Sequence, residues 1–230
     1  MELSELLEAA KTANLERLKE LHAQGADLNE TARNGSSALI YAAERGKAEM
    51  VKYLIENGAD PALQTKMGGT ALNRAAENGH IEIMRYLLDN GTPIGKLALI
   101  VAAREGYIEA VDLLVKNGAD LDAQQHWGLT ALMLAAREGH TAIVKYLLDA
   151  GANVRLKDKN GDTALNIAID NDNPDIVMQL RRAGAKAQTK KKAVPAAPID
   201  EDEDDESTDT VDEIIADDDL PGEDIELDEE

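Results

Sequence analysis

The chain has 230 residues, and 45 acidic against 24 basic side chains give it a formal net charge of −21. It contains no cysteine, which excludes disulfides, thiolate metal sites and a cysteine nucleophile. The longest apolar run, from Leu97 to Ala103, is too short to cross a bilayer, and the acidic N-terminal segment lacks the apolar stretch of a secretory signal. We therefore expect no membrane association and a cytoplasmic location, with the nucleus as the alternative.

The charge is divided unevenly along the chain. Residues 1–199 hold all 24 Lys and Arg against 26 Asp and Glu, so this part is nearly neutral. Residues 200–230 hold 19 Asp and Glu and no Lys or Arg. A segment with so much charge and so few apolar side chains cannot offset the entropy cost of ordering by burial. The sequence predicts a disordered acidic tail at 200–230.

Three residue series repeat in register along residues 2–187. The first is glycine at 35, 68, 95, 128 and 161, with intervals of 33, 27, 33 and 33 residues. A second glycine series runs through 25, 58, 91, 118, 151 and 184, and an alanine series through 9, 42, 75, 102, 135 and 168. Regular periods of this length indicate a repeat architecture. We predict six units, at about 2–34, 35–67, 68–94, 95–127, 128–160 and 161–187.

The unit that begins at Gly35 predicts a pair of helices. Ser37 is a plausible N-cap for a short first helix that Gly46 ends. Apolar side chains at 50, 51, 54 and 55 then share one face of a second helix, and Gly58 follows where a left-handed residue is favoured. One such pair cannot bury its apolar face alone, so the units must stack into a solenoid.

Residues 128–153, GLTALMLAAREGHTAIVKYLLDAGAN, resemble the ankyrin repeat, whose pattern is roughly G-x-T-P-L-H-x-A-A-x-x-G-H followed by an apolar helix and G-A-D. The resemblance covers about residues 2–187. It implies an all-α repeat solenoid of stacked antiparallel helix pairs, with hairpin loops, or fingers, that project from one edge beside a concave face. It also implies protein recognition rather than catalysis, because this fold carries no chemistry of its own.

Two departures from the ankyrin pattern stand out. The histidine of the pattern is missing, so its hydrogen bond with threonine cannot form, although Asn73 with Thr70 and Asn166 with Thr163 offer a substitute. Between Gly91 and Gly95 the sequence GTPIG is also six residues shorter than the equivalent interval from Gly58 to Gly68. We favour a tolerated loop deletion there, since surface loops absorb length changes at low cost. The alternative is a notch in the row of fingers that admits part of a partner.

The predicted finger tips carry cations with two large apolar side chains among them. We call the following set the finger row: Arg33, Lys66, Met67, Lys96, His126, Trp127 and Lys159. Such a surface suits an acidic, partly apolar peptide, and Trp127 is the best single hot-spot candidate. The alternative is ordinary solvation of charged loops.

Nothing in the sequence indicates an enzyme or a cofactor. His80 and His140 follow turn glycines as the repeat dictates, and no carboxylate or serine is placed by motif to act with His126. Phosphate-binding and zinc-protease signatures are absent. We therefore expect neither catalytic residues nor a metal site.

The segment at 188–199 is rich in Pro and Ala and is predicted to be a linker to the tail. Apolar residues scattered through the acidic run are typical of motifs that order on a partner. We expect a monomeric protein-interaction module or adaptor with no direct contact to nucleic acid. Its finger row would bind an acidic partner surface, and its tail would bind a basic one. The alternative is a chaperone or inhibitor of a basic or nucleic-acid-binding protein, acting through the tail.

Overall fold

A computed structural model describes residues 3–186, and within that range the chain forms twelve helices and no strand. The helices alternate between a first and a second helix of each unit. The first helices are α1 (Glu5–Lys11), α3 (Ala38–Glu44), α5 (Ala71–Glu77), α7 (Lys96–Glu105), α9 (Ala131–Arg137) and α11 (Ala164–Asp170). The second helices are α2 (Leu15–Ala23), α4 (Ala48–Glu56), α6 (Ile81–Asp89), α8 (Ile108–Lys116), α10 (Thr141–Asp149) and α12 (Pro174–Arg182).

The helices form two layers. Each first helix packs against its own second helix and against the first helices of the neighbouring units, while successive second helices from α4 onward contact one another. Paired alanines such as Ala42 and Ala43 are fully buried and allow the first helices to approach closely. The second helices supply the bulk, as Met50 and Leu54 do in α4. Helices of 7 to 10 residues are marginal alone, so this packing is what stabilises them.

Side-chain caps begin most of the first helices. Ser37 accepts a hydrogen bond from the amide of Ile40, and Thr70, Thr130 and Thr163 do the same in later units. The predicted cap at Ser37 is therefore confirmed. The fourth unit differs, because Leu97 replaces the capping residue. Its helix α7 begins earlier, at Lys96, and its N-cap Gly95 offers no side-chain hydrogen bond.

A tight turn, which we call a finger, precedes four of the first helices. Fingers 1 to 4 comprise residues 32–36, 65–69, 125–129 and 158–162. In each, the first residue accepts a hydrogen bond from a glycine amide three positions on, and its own amide bonds to the carbonyl of the fifth residue. The glycines of the four turns all have positive φ, from 78° to 87°.

The short loop at 91–95 forms no finger. Its chain passes from α6 directly into α7, with Gly91 in the left-handed region and Gly95 in extended backbone. Helix α7 nevertheless packs against α5 and α9 as the other first helices pack against their neighbours. The six missing residues therefore remove a finger without displacing the helices on either side.

The predicted linker at 188–199 and acidic tail at 200–230 lie outside the described residues, as do residues 1, 2 and 187 of the solenoid predicted at 1–187. Within residues 3–186, no helix is long and apolar enough to cross a membrane.

Candidate functional site

Neighbouring fingers are joined in two pairs by backbone hydrogen bonds. The amide of Lys66 in finger 2 donates to the carbonyl of Asn34 in finger 1, at 2.8 Å. The amide of Lys159 in finger 4 donates in the same way to the carbonyl of Trp127 in finger 3, at 3.0 Å. Between these pairs lies the position of the missing finger, which we call the notch. The row of fingers is therefore two coupled pairs rather than a continuous ladder.

Trp127 is the most firmly held aromatic residue of the fingers. Its side chain is half-buried, and the ring packs partly against the core. The Lys159 ammonium lies 5.3 Å from the ring centroid, and the ring of His126 meets it edge-on at 5.5 Å between centroids. Cation–π contacts of this geometry are favourable by about 0.5–1 kcal/mol at exposed sites. The structure therefore places two of the predicted residues, His126 and Lys159, against the indole of a third, Trp127.

The other members of the finger row are spread along the edge. Arg33 and Lys66 are exposed in fingers 1 and 2. Met67 is 54% exposed, the largest exposed fraction among the large apolar residues within 3–186. The prediction that Lys96 lies in a finger tip is wrong. Lys96 is exposed at the first residue of α7, because the shortened loop leaves no finger to carry it.

The cations of this edge have no carboxylate partners among residues 3–186. No ion pair in that range involves Arg33, Lys66, Lys96 or Lys159. The nearby carboxylate of Asp158 is instead occupied by the backbone amides of its own finger, at 2.9 and 2.8 Å. The Lys and Arg side chains of the finger row thus form no ion pair in the described range, and Met67 and Trp127 lie among them in the fingers.

The repeat histidines have structural roles. His80 and His140 each place a ring nitrogen against a carbonyl of the preceding unit, on Glu44 at 3.2 Å and Arg104 at 2.8 Å. In the part of the chain that the structure describes, no cluster of three or more acidic or histidine side chains is arranged to hold a metal ion.

Two polar residues that sequence reasoning missed connect neighbouring units at this edge. The Gln124 side-chain amide donates to the carbonyls of Gly128 and Lys157, and so ties finger 3 to finger 4. Asn29 bonds to Gly58 and to the amide of Asp60 in the next unit. Neither residue recurs at every repeat, so periodicity gave no signal. A search for amide side chains next to finger positions would have found Gln124.

Comparison with protein families gives a match to the model described as ankyrin repeats (3 copies), at residues 6–98 and again at 99–191. The chain belongs to the ankyrin-repeat family. The predicted all-α repeat solenoid is therefore confirmed. Ankyrin repeats are generally protein–protein interaction modules, and the match supports that role for this chain at the same level. None of the curated proteins compared with the chain is significantly similar to it.

The sequence predicts a substitute for the threonine–histidine hydrogen bond of the ankyrin pattern in the third and sixth units, and one forms only in the sixth. The hydroxyl of Thr163 donates to the side-chain oxygen of Asn166 at 2.9 Å, as the sequence predicts. In the third unit Asn73 turns away from Thr70 and donates to the carbonyl of Gly68 over 3.5 Å. Its own side-chain oxygen is buried and has no hydrogen-bond partner among residues 3–186.

Proposed function

We propose that this ankyrin-repeat protein is an adaptor that docks an acidic, partly apolar segment of a partner protein on its finger row. The acidic tail would be a second, electrostatic contact for a basic surface of the same assembly. The observation that carries the proposal is the surrounding of Trp127. A half-buried indole lies beneath Lys159 and beside His126, in a row of cations without carboxylate partners in the described range.

This arrangement suits a binding hot spot for two physical reasons. The indole is held by backbone and ring contacts before a partner arrives, so little side-chain entropy is lost on binding. Tryptophan also buries a large area, and residues of this type dominate interface energetics. The lysines of the row add long-range attraction, which raises the association rate for an acidic partner and falls with added salt.

The role of the tail rests on its charge. Its 19 carboxylates, without a single Lys or Arg, favour contact with basic surfaces. The same feature supports the alternative of a chaperone or inhibitor of a basic or nucleic-acid-binding protein. The two functions differ in what the tail contributes. In the adaptor it adds affinity, whereas in the chaperone it carries nearly all of the activity.

The test is a quantitative pull-down with the intact chain, a variant lacking residues 200–230, and Trp127→Ala, with the bound proteins identified by mass spectrometry. Met178→Ala is a matched control, because Met178 is 48% exposed on the second helix α12 and belongs to no finger. We expect at least one partner to be lost with Trp127→Ala, retained with Met178→Ala and reduced but present without the tail. Partners that depend on the tail and ignore Trp127 would favour the chaperone and overturn the adaptor.

A further inference from the structure

We infer that the notch accepts the tip of an acidic β-hairpin from the partner protein, which takes the place of the missing finger. This inference deepens the proposed function and rests on it, because it names the shape and charge of the element that the finger row binds. Three independent observations carry it: open backbone groups, open space and unbalanced charge.

The first observation is a pair of backbone groups without partners. In each joined pair, the carbonyl of the residue before the turn glycine of one finger accepts a hydrogen bond from the next finger. The donor is the amide of the residue two positions before the turn glycine of that next finger. At the notch the equivalent groups are the carbonyl of Met67 and the amide of His126. Neither has a hydrogen-bond partner among residues 3–186. The two sides of the notch therefore offer one acceptor and one donor, as the open edges of a sheet do.

The second observation is the space beside the turn glycines. A Cβ added at Gly35 would lie 2.9 Å from the carbonyl oxygen of Gln64, and one at Gly128 would lie 3.0 Å from the Cα of Asp158. Each glycine is therefore covered by the next finger. At Gly68, a Cβ would meet nothing within 4 Å, as at Gly161 in the last finger. Finger 2 consequently faces the notch as openly as finger 4 faces solvent.

These two observations define the width of the occupant. Paired strands lie about 4.8 Å apart, so one finger of two strands occupies about 10 Å along the row. The helices α5, α7 and α9 keep their stacking past the notch, so the space of one finger is preserved rather than closed. A two-stranded turn fits this space and satisfies both open groups by strand addition. A helix, with a diameter of about 10–12 Å and no free backbone groups, would leave both unsatisfied.

The third observation sets the charge. The segments that border the notch are finger 2, residues 91–96 and finger 3, and together they contain Lys66, Lys96 and His126 but no Asp or Glu. They also present Met67 and Trp127. Carboxylates beside the turn of the incoming hairpin complement the lysines, and apolar side chains on its strands cover the methionine and the indole.

The test uses a displayed library of disulfide-closed hairpins with randomised turns, selected on the full chain. Counter-selection uses a finger-restored variant, in which residues 92–94 are replaced by a copy of residues 119–127. We expect the enriched hairpins to carry Asp or Glu beside the turn and to bind the restored variant at least about tenfold more weakly. Failure to enrich any hairpin that prefers the wild-type chain, or enrichment of basic turns, would overturn the inference.

Two pairs of point variants keep the test decisive should the restored chain fold poorly. Gly68→Ala and Gly161→Ala share the cost of a side chain at positive φ, but only Gly68 faces the notch. The selected hairpin should lose affinity only with Gly68→Ala. His126→Pro removes the open amide at a turn position where proline is favoured, and His126→Ala keeps the amide. We expect the proline variant to bind about fivefold more weakly than the alanine variant.

The inference and the proposed function fail in different ways. If a natural partner is lost with Trp127→Ala yet binds the finger-restored variant as tightly as the wild type, that result would support the adaptor function and contradict binding at the notch. A partner that is indifferent to Trp127→Ala would remove the adaptor itself.

Discussion

Replacing Gly35 with alanine should destabilise the protein more than the same replacement at Gly68. Both glycines close a finger turn at positive φ, 87° and 79°, so each variant carries the strain of a left-handed alanine, about 1–2 kcal/mol. The two positions differ in what lies beside them. The new Cβ at Gly35 would overlap the backbone of finger 2, whereas at Gly68 it enters open space.

The magnitude of the difference follows from the contact that is lost. Finger 2 has to move away from the new methyl group, because the atoms at 2.9 Å from it are backbone atoms. That movement weakens the hydrogen bond from Lys66 to Asn34, which contributes about 1 kcal/mol net, and disturbs the packing around it. We expect Gly35→Ala to exceed Gly68→Ala by about 1–3 kcal/mol. For a chain of this size, that difference lowers Tm by about 2–12 °C.

The assay is thermal and urea unfolding of both variants, followed by far-ultraviolet circular dichroism, with Gly161→Ala as a second open position. The result that refutes the reasoning is an equal loss at Gly35 and Gly68. It would mean that another segment covers finger 2 and that the notch is closed.

Gly95→Ser should stabilise the protein by about 0.5–1 kcal/mol in urea unfolding, because the N-cap of α7 has extended backbone, free space and no side-chain hydrogen bond; a loss of stability would contradict this capping account. In the free protein, hydrogen exchange by NMR should be slower for the bonded amide of Lys66 than for the open amide of His126, and equal rates would argue against the finger pairing. Hydrogen bonds from Lys116 and then from the Tyr146 hydroxyl hold the pKa of Asp112 below its ordinary value of 3.8. The Asp112 carboxylate therefore stabilises the fold above that pH, and this stabilisation is lost as the pH falls below it. Asp112→Asn should flatten the acid limb of a plot of Tm against pH. An acid limb that the substitution leaves unchanged would contradict this assignment.

Much of the fold could be predicted because it depends on local signals that recur. The glycine and alanine series locate every helix pair, and a Ser or Thr before most of the first helices marks the cap, as Ser37 does. The same reasoning identified the shortened loop, because a missing stretch in a strict period is visible in the sequence alone.

The rest depends on neighbours that a single repeat does not contain. Lys96 could not be placed, because the deletion changes both the loop and the start of α7. Asn73 and Asn166 occupy equivalent positions after a threonine, yet only Asn166 accepts a hydrogen bond from its threonine hydroxyl. The repeat pattern does not distinguish the two positions. The carbonyl of Met67 is likewise open because no finger follows it to donate a hydrogen bond.

The central claim is that the fingers, and the notch between them, form the partner-binding surface. Its most direct test is backbone hydrogen exchange of the full chain with and without a partner captured through Trp127. We predict that binding slows exchange in fingers 2 and 3, most of all at the amide of His126, which has no partner within residues 3–186 of the free protein. Protection confined to the second helices, with the finger amides unchanged, would contradict the account.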